Sequence, residues 1–352
     1  MKFELPLGDL VEAAVEFLMR HAQWLFDAIE IVVGGLADGI GAALEFPPDV
    51  VLAGLIVGLA FYRVGWKFAV FAAVALAVIF ALGSPERLKI EALCAAPFHN
   101  ERSDGPEDGM VKSYEELQRI VRIAGAAGRI PIYEGSRGWM AGPDRPVESE
   151  AARRIVELAL ASPDDDPLYV VAIGAITNVA SAILMEPRII GKIVVVWLGG
   201  HAPWWDHTRE FNMIQDVHAS RVVLDCGVPL VLVPCMGVAS HLLTTKAEID
   251  LHLGECGAIG RYLAETYAAC SDDHYAYSRV IWDISTIGWL LDERSVPCRI
   301  VHSPILNEGG TYSFDQGRHL IKMAQHVRRD AVFRSLFDRV RKLAGQAKGQ
   351  SE

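Results

Sequence analysis

Apolar residues dominate one continuous stretch of the chain, residues 50–83. This stretch contains no acidic residue, and only two basic residues, Arg63 and Lys67, interrupt it. A helix needs about 20 apolar residues to cross a bilayer, and each half of the stretch is slightly shorter than that. The pattern predicts one or two transmembrane helices over residues 48–83, with both cations near helix ends, where long side chains reach water. A helix buried in a protein core is the alternative for the second half, residues 68–83.

Upstream of this stretch, the pattern is that of an amphipathic helix. Leu10, Ala13, Phe17 and Leu18 fall on one face at helical spacing, and acidic residues occur throughout. The segment lacks the basic start and apolar core of a signal peptide. We therefore predict an amphipathic helical region over residues 1–47, lying on a membrane surface or packed on another protein element.

Downstream, short β-branched runs alternate with amphipathic helical stretches. The predicted strands are residues 88–95, 130–133, 168–173, 192–198, 229–234 and 298–303. The predicted helices are residues 112–127, 148–161, 177–185, 216–226, 257–270, 280–292 and 330–345. Strands that are apolar on both faces, with helices between them, predict an α/β fold with a Rossmann-like, mostly parallel sheet covered by helices on both faces. We place this domain at residues 84–345 and a disordered tail at residues 346–352.

Composition narrows the classes of function. The formal net charge of −11 at pH 7 argues against binding nucleic acid through a basic face. The six cysteines are scattered and form no CxxC pair, which is typical of small buried residues in a reducing compartment. The chain contains no nucleophile elbow, phosphate-binding loop or HExxH motif.

Polar and aromatic side chains collect where the predicted strands end. They are His99, Asn100, His201, Trp204, Trp205, His207, Glu210, Asn212, Asp216, His274, Trp282 and Asp283. Because the carboxyl ends of parallel strands meet at one edge of a sheet, we expect these residues to converge there. Carboxylates, amides and indoles together suit a polyhydroxylated ligand with an aromatic part. Structural roles are the alternative: Asn212 and Asp216 are suited to cap a helix, and Asp283 to lie in a solvated first turn.

Three motifs in this order, "AIGAITNVASAI", "GGHAPWWDHTREFNMIQDVHAS" and "VIWDIS", resemble those of the inosine–uridine-preferring nucleoside hydrolases. The resemblance covers about residues 84–343. It implies hydrolysis of the N-glycosidic bond of ribonucleosides to a base and ribose, with a bound Ca²⁺ that holds the attacking water. Carboxylates near the ribose would stabilise an oxocarbenium-like transition state.

The resemblance also implies roles for individual residues. Asp283 matches an aspartate that binds both calcium and ribose, and the carbonyl of Ile173 matches a backbone ligand of the metal. Glu210, Asn212 and Asn100 match residues that bind the sugar.

The proton donor to the leaving base is the point where the chain departs from the family pattern. Trp282 stands where many members have a histidine that protonates the base. The departure suggests that Trp282 stacks on the base, that His274 is the acid instead, or that the substrate needs less help with its leaving group.

The segment before "SPERLKIEAL" differs from the family pattern. Family members begin with a strand that leads into an aspartate cluster, which supplies most of the calcium ligands and the general base. Here the corresponding segment is "YRVGWKFAVFAAVALAVIFALG", without Asp or Glu. We therefore predict that the first βα unit is missing, that calcium binding is weak or lost, and that activity is low or absent. In one alternative, residues 68–83 pack into the vacated place.

Residues 1–83 have their own resemblance, through "LPLG", "WLFDAI" and "PP" before an apolar hairpin, to the start of a proline/glycine betaine transporter permease. The combined prediction is a nucleoside-hydrolase-like protein tethered to a bacterial inner membrane, with the hydrolase domain in the cytoplasm. Its expected partners are a nucleoside and membrane lipid, with homo-oligomers left open. The alternatives are an inactive nucleoside- or ribose-binding membrane protein, and a permease-related component fused to a hydrolase remnant.

Overall fold

The structure, a computed structural model, describes residues 71–349, all within one compact unit, Trp66–Glu352. The predictions for residues 1–47 and for the first apolar half of residues 48–83 lie outside the described part. The helices are α1 (Phe71–Leu82), α2 (Pro106–Ile123), α3 (Glu150–Ala161), α4 (Thr177–Met185), α5 (Phe211–Gln215), α6 (Val217–Asp225), α7 (Lys246–Leu253), α8 (Gly257–Ala268), α9 (Ile284–Leu291) and α10 (Arg329–Gly349). Short 3₁₀ segments occupy Pro187–Gly191, Ala239–His241 and Glu293–Ser295.

The strands are β1 (Leu93–Cys94), β2 (Ile132–Tyr133), β3 (Leu168–Ala172), β4 (Ile193–Leu198), β5 (Leu230–Val233), β6 (Leu243–Thr244), β7 (Arg279–Val280), β8 (Cys298–His302), β9 (Ile305–Leu306), β10 (Tyr312–Ser313) and β11 (Leu320–Ala324). Five of them form the central sheet in the order β3–β4–β5–β11–β8. All neighbours in this sheet are parallel except β8, which runs antiparallel to β11. The predicted α/β fold with a mostly parallel sheet is confirmed.

Two cores lie on opposite faces of this sheet, because successive residues of a strand point to opposite sides. In β4, Val195 and Trp197 enter one core, whereas Val196 and Leu198 enter the other. The first core includes buried residues of α3, α4 and α6, and the second includes those of α1, α2 and α7 to α10. The strand is apolar throughout because helices cover both of its faces.

The pairing between β1 and β2 is short. We predicted strands over residues 88–95 and 130–133, but only Leu93–Cys94 and Ile132–Tyr133 form a parallel ladder. Within the described part of the chain this pair is a sheet of its own, and β1 has no second neighbour.

Helix α1 corrects the membrane prediction for residues 68–83. Ala75, Ile79 and Phe80 are fully buried, and the helix packs against α2, α8, α9 and α10. None of the helices within residues 71–349 combines the length and apolarity that a membrane span requires. The predicted inner-membrane location is wrong, because α1, within the second of the two predicted spans, packs in the core of the domain. The predicted lipid partner loses its support.

Candidate functional site

The side-chain amide of Asn178 connects the segments that follow three strands. Asn178, in the first turn of α4, donates from Nδ2 to the carbonyl of Ala95 at 2.8 Å. Its Oδ1 accepts from the backbone N–H and the hydroxyl of Ser136, at 2.8 and 2.9 Å. Ala95 follows β1, Ser136 follows β2, and α4 follows β3, so this buried side chain holds the three exits in register. The sequence analysis missed this role, although Asn178 lies within a quoted motif directly after a strand.

Asp283 is a buried acidic residue that follows β7. The β6–β7 pair and a hydrogen bond from the Ile281 N–H to the Leu242 carbonyl, at 2.9 Å, place it just before α9. Asp283 is only 7% exposed, and its carboxylate neither caps α9 nor accepts a hydrogen bond from another described residue. Burial and the nearby Glu210 raise its pKa to about 7, against the opposing charge of Arg279. The carboxylate is therefore available to accept a hydroxyl donor or to bind a cation.

Glu210 lies near Asp283, but both oxygens of the Glu210 carboxylate accept hydrogen bonds from backbone N–H groups. Oε1 accepts from the N–H of Asn212 at 2.9 Å. Oε2 accepts from the N–H groups of Gly200 and Met213, at 2.9 and 3.0 Å. Glu210 thus caps α5 and closes the loop that follows β4, while burial raises its pKa.

Asn212 is also committed to the fold, because its Nδ2 donates to the carbonyl of Leu198 at 2.9 Å. Cys235 shows that the acidic residues cluster, since burial, Glu210 and Asp283 all raise the pKa of its thiol. The structure therefore brings Glu210 and Asp283 together, as predicted. The structural role of Glu210 was not predicted from the sequence. Asn212 has a structural role, as its alternative predicted, but through Leu198 rather than as a helix cap.

The loop after β1 contacts the end of α5. The backbone of His99 exchanges two hydrogen bonds with the side chain of Gln215, at 2.7 and 3.2 Å. Gln215 ends α5, so Asn100 lies beside the helix that carries Asn212. Asn100 is half-buried, and its Oδ1 accepts from the N–H of Arg102 at 2.9 Å, which stabilises the turn.

Three further predicted site residues, Trp282, Ile173 and His274, make contacts with the core or with α8. Trp282 and Ile173 are half-buried and pack against the core that contains α9. His274 contacts the end of α8 instead: its Nε2 lies 2.9 Å from the carbonyl of Ala268, and its ring stacks on Tyr267. None of the contacts described for His274 is with Asp283.

Asp216 caps α6, as its structural alternative predicted. One of its oxygens accepts from the N–H of Ala219 at 3.0 Å, and the other from the Thr177 hydroxyl at 2.8 Å and the Met140 N–H at 2.9 Å. This carboxylate therefore joins α6 to the start of α4.

The described residues do not by themselves fit the calcium ion that the resemblance implies. Calcium binds six to eight oxygens, several of them from carboxylates. Asp283 and the Ile173 carbonyl are available, but the oxygens of Glu210 accept backbone N–H groups. Within residues 71–349 no group of three His, Cys, Asp or Glu side chains is arranged to hold a metal ion.

Among solved structures, the fold is similar to a plant nucleoside hydrolase, PpNRh1, with a TM-score of 0.62 and 19% identity, covering 76% of this chain and 95% of that one. It is equally similar to a purine-preferring ribonucleoside hydrolase from Gardnerella vaginalis, with a TM-score of 0.62 and 20% identity, covering 78% and 96%. At these identities the similarity establishes the fold alone.

Curated relatives match parts of the sequence. The pyrimidine-specific ribonucleoside hydrolase RihA of Enterobacter sp. (strain 638) is 29% identical over 244 residues, 62% of this chain and 75% of that protein. RihB of Escherichia coli O17:K52:H18, also pyrimidine-specific, is 37% identical over 120 residues, 33% of this chain. The chain thus spans 38% of the length of RihB and 75% of that of RihA.

A family model described as inosine-uridine preferring nucleoside hydrolase matches residues 72–334. The match begins inside α1, which agrees with the packing of that helix in the core of the domain. It covers most of the chain and contains every residue discussed above for the site. The chain therefore belongs to the inosine-uridine preferring nucleoside hydrolase family.

Proposed function

We propose that this chain binds ribonucleosides at the carboxyl edge of its sheet and hydrolyses their N-glycosidic bond, releasing a base and ribose. One observation carries the proposal: the carboxylate of Asp283 is buried, yet it accepts no hydrogen bond from the other described residues. A ligand that donates to it, such as a ribose hydroxyl, gains a charge-assisted hydrogen bond.

The reaction needs charge stabilisation at the sugar. The oxygen of water forms a bond to the anomeric carbon, the bond from that carbon to the base nitrogen breaks, and the base takes up a proton. Positive charge develops on the ribose ring in the transition state. The carboxylate of Asp283 is of opposite sign and lies in a buried site, where electrostatic stabilisation is strong. Trp282, the preceding residue, offers an indole face on which the base can stack.

Hydrolysis by this chain is proposed to be slow. The carboxylates of Glu210 and Asp216 accept backbone N–H groups, so neither is free to take a proton from water. A positioned general base typically accelerates such a step about 100- to 10,000-fold. Within residues 71–349, Asp283 is the one carboxylate of this cluster that no hydrogen bond occupies.

Ribonucleoside binding without hydrolysis is a second candidate. The specific observation in its favour is the small number of free oxygens at the edge, since the described residues offer one carboxylate and few additional acceptors. A single carboxylate is sufficient to bind a hydroxyl group, whereas hydrolysis also requires activation of water.

The test uses the purified full chain with inosine and uridine, in calcium and in a chelator. Released base is measured by chromatography, and binding by calorimetry. Slow release that Asp283→Asn abolishes, but Asp292→Asn does not, supports hydrolysis; Asp292 is half-buried and its carboxylate pairs with Arg294. Binding without release, sensitive to Asp283→Asn alone, supports the second candidate. If the wild-type chain neither binds nor cleaves either nucleoside, both candidates are wrong.

A further inference from the structure

The hydrogen-bond donors around Glu210 occupy its whole carboxylate. The two oxygens of an ionised carboxylate offer about four acceptor positions. Backbone N–H groups of Gly200, Asn212 and Met213 use three of them, at 2.9, 2.9 and 3.0 Å. The thiol of Cys235 donates to the same carboxylate. A metal ion could therefore bind Glu210 only by displacing hydrogen bonds that hold the loop after β4.

Other acidic side chains that follow strands are engaged as well. The buried carboxylate of Asp216 accepts from the three donors that join α6 to α4 and to the loop before α3. Two acids lie in the first turn of α2, after β1, and each pairs with a cation of the chain. Glu107 lies 2.6 Å from Arg137, and Asp108 lies 2.5 Å from Lys112. A metal ion at either acid would be repelled by the cation that is already there.

The surroundings of Asp283 disfavour a divalent cation. Its two carboxylate oxygens and the carbonyl oxygen of Ile173 give three ligands, whereas calcium binds about six to eight. Arg279, on β7, places a positive charge near the carboxylate, and this charge lowers the pKa of Asp283 against the effect of burial. A guanidinium repels a metal ion, and the repulsion is strong where water is excluded. The chain itself thus supplies the cation beside Asp283.

We infer that ribonucleosides bind to this chain without a divalent cation, and that a ribose hydroxyl donates directly to the carboxylate of Asp283. The inference rests on the proposed function and describes how the same site recognises the sugar. A carboxylate accepts a hydroxyl donor in a short, charge-assisted hydrogen bond. A calcium ion would instead bind the hydroxyl oxygen and would itself need most of its ligands from the protein. The chain departs here from the calcium dependence that the resemblance implies.

The first experiment measures the dissociation constants of inosine and uridine by calorimetry on the full chain, in calcium and in EDTA. Two ligands that bind cooperatively change each other's affinity by the same factor, typically about 5- to 150-fold. We expect a ratio near one between the two buffers. A nucleoside that binds about five-fold or more weakly in EDTA overturns the inference and leaves the proposed function intact. If neither nucleoside binds in either buffer, the proposed function itself is wrong.

The second experiment uses terbium(III), which takes the oxygen ligands of calcium and luminesces when a nearby indole is excited. Trp282 directly precedes Asp283 and is half-buried, so an ion held by that carboxylate has an indole beside it. We expect the wild-type chain and Asp283→Ala to give the same emission when Tb³⁺ is added. Saturable emission that calcium displaces and that Asp283→Ala removes overturns the inference.

The third experiment compares Asp283→Asn with Asp283→Ala in EDTA. The asparagine keeps an acceptor oxygen for a hydroxyl and loses only the charge, so the dissociation constant should rise about 3- to 10-fold, against roughly 10- to 100-fold for alanine. Equal losses in the two variants overturn the inference. Asp292→Ala, at a half-buried carboxylate that pairs with Arg294, is the control and keeps the wild-type affinity. Circular dichroism shows whether each variant is folded, and the buffer comparison on the wild-type chain decides if Asp283→Ala is not.

Discussion

Truncation of Phe80 tests whether α1 belongs to the core of the hydrolase domain. Phe80 is completely buried, and its helix contacts four other helices. A phenylalanine buries about 150–250 Å² of surface, which at about 25 cal/mol per Å² corresponds to about 4–6 kcal/mol. Alanine retains part of this area, and the measured range for Phe→Ala in cores is about 3–5 kcal/mol. We expect Phe80→Ala to lower the free energy of unfolding by about that amount, a large part of a total of about 5–15 kcal/mol.

The assay is urea unfolding of the full chain, followed by circular dichroism and by the fluorescence of buried indoles such as Trp197 and Trp289. With an m-value of roughly 3 kcal/mol per molar urea, the midpoint should fall by about 1–1.7 M. Phe314→Ala makes the same chemical change at a side chain that is 60% exposed, and it should shift stability by about 0.5 kcal/mol or less. If the two variants unfold alike, α1 is not part of this core and our correction of the membrane prediction fails.

Two further predictions concern buried polar groups. Asn178→Ala should destabilise the domain by about 1–3 kcal/mol for each buried partner left without a hydrogen bond, measured by the same urea assay; an effect below about 1 kcal/mol would contradict its role at the three strand exits. Glu116 lies between α2 and α8, where it accepts from the Tyr262 hydroxyl, and burial raises its pKa above the ordinary 4.5. The protonated Glu116 contributes its full stability below pH 4.5, the ordinary pKa, and this contribution is lost as the pH rises through the raised pKa of the folded state. A glutamine side chain has no proton to lose, so Glu116→Gln should gain stability relative to wild type between pH 4.5 and neutral pH. Glu115→Gln, an exposed neighbour, should show no such gain, and parallel pH profiles for wild type and Glu116→Gln would refute the assignment.

The fold class followed from local patterns in the sequence. Residues 168–173, 192–198 and 229–234 are apolar at nearly every position, and such strands have to be covered on both faces. The structure places β3, β4 and β5 there as parallel neighbours. The strand β11, with Lys322 in its middle, was missed, and only its partners β5 and β8 identify it as part of the central sheet.

The motifs at strand ends predicted which residues gather, but not how each side chain is used. Glu210 lies near Asp283, because strand exits meet at one edge of a parallel sheet. The hydrogen bonds of Glu210 and Asn212 to Gly200, Met213 and Leu198 depend on the path of the loop after β4, which is set by long-range contacts. Hence only the tertiary structure distinguishes the committed carboxylate of Glu210 from the available one of Asp283.

The sequence by itself determined the α/β architecture, the family motifs and the apolar character of residues 68–83. It did not determine where that apolar helix lies, because a bilayer and a protein core both exclude water and both favour the same side chains. Only the contacts of α1 with the helices around it decided between them. Those contacts join residues far apart in the sequence, and the pattern of the helix alone contains no information about its partners.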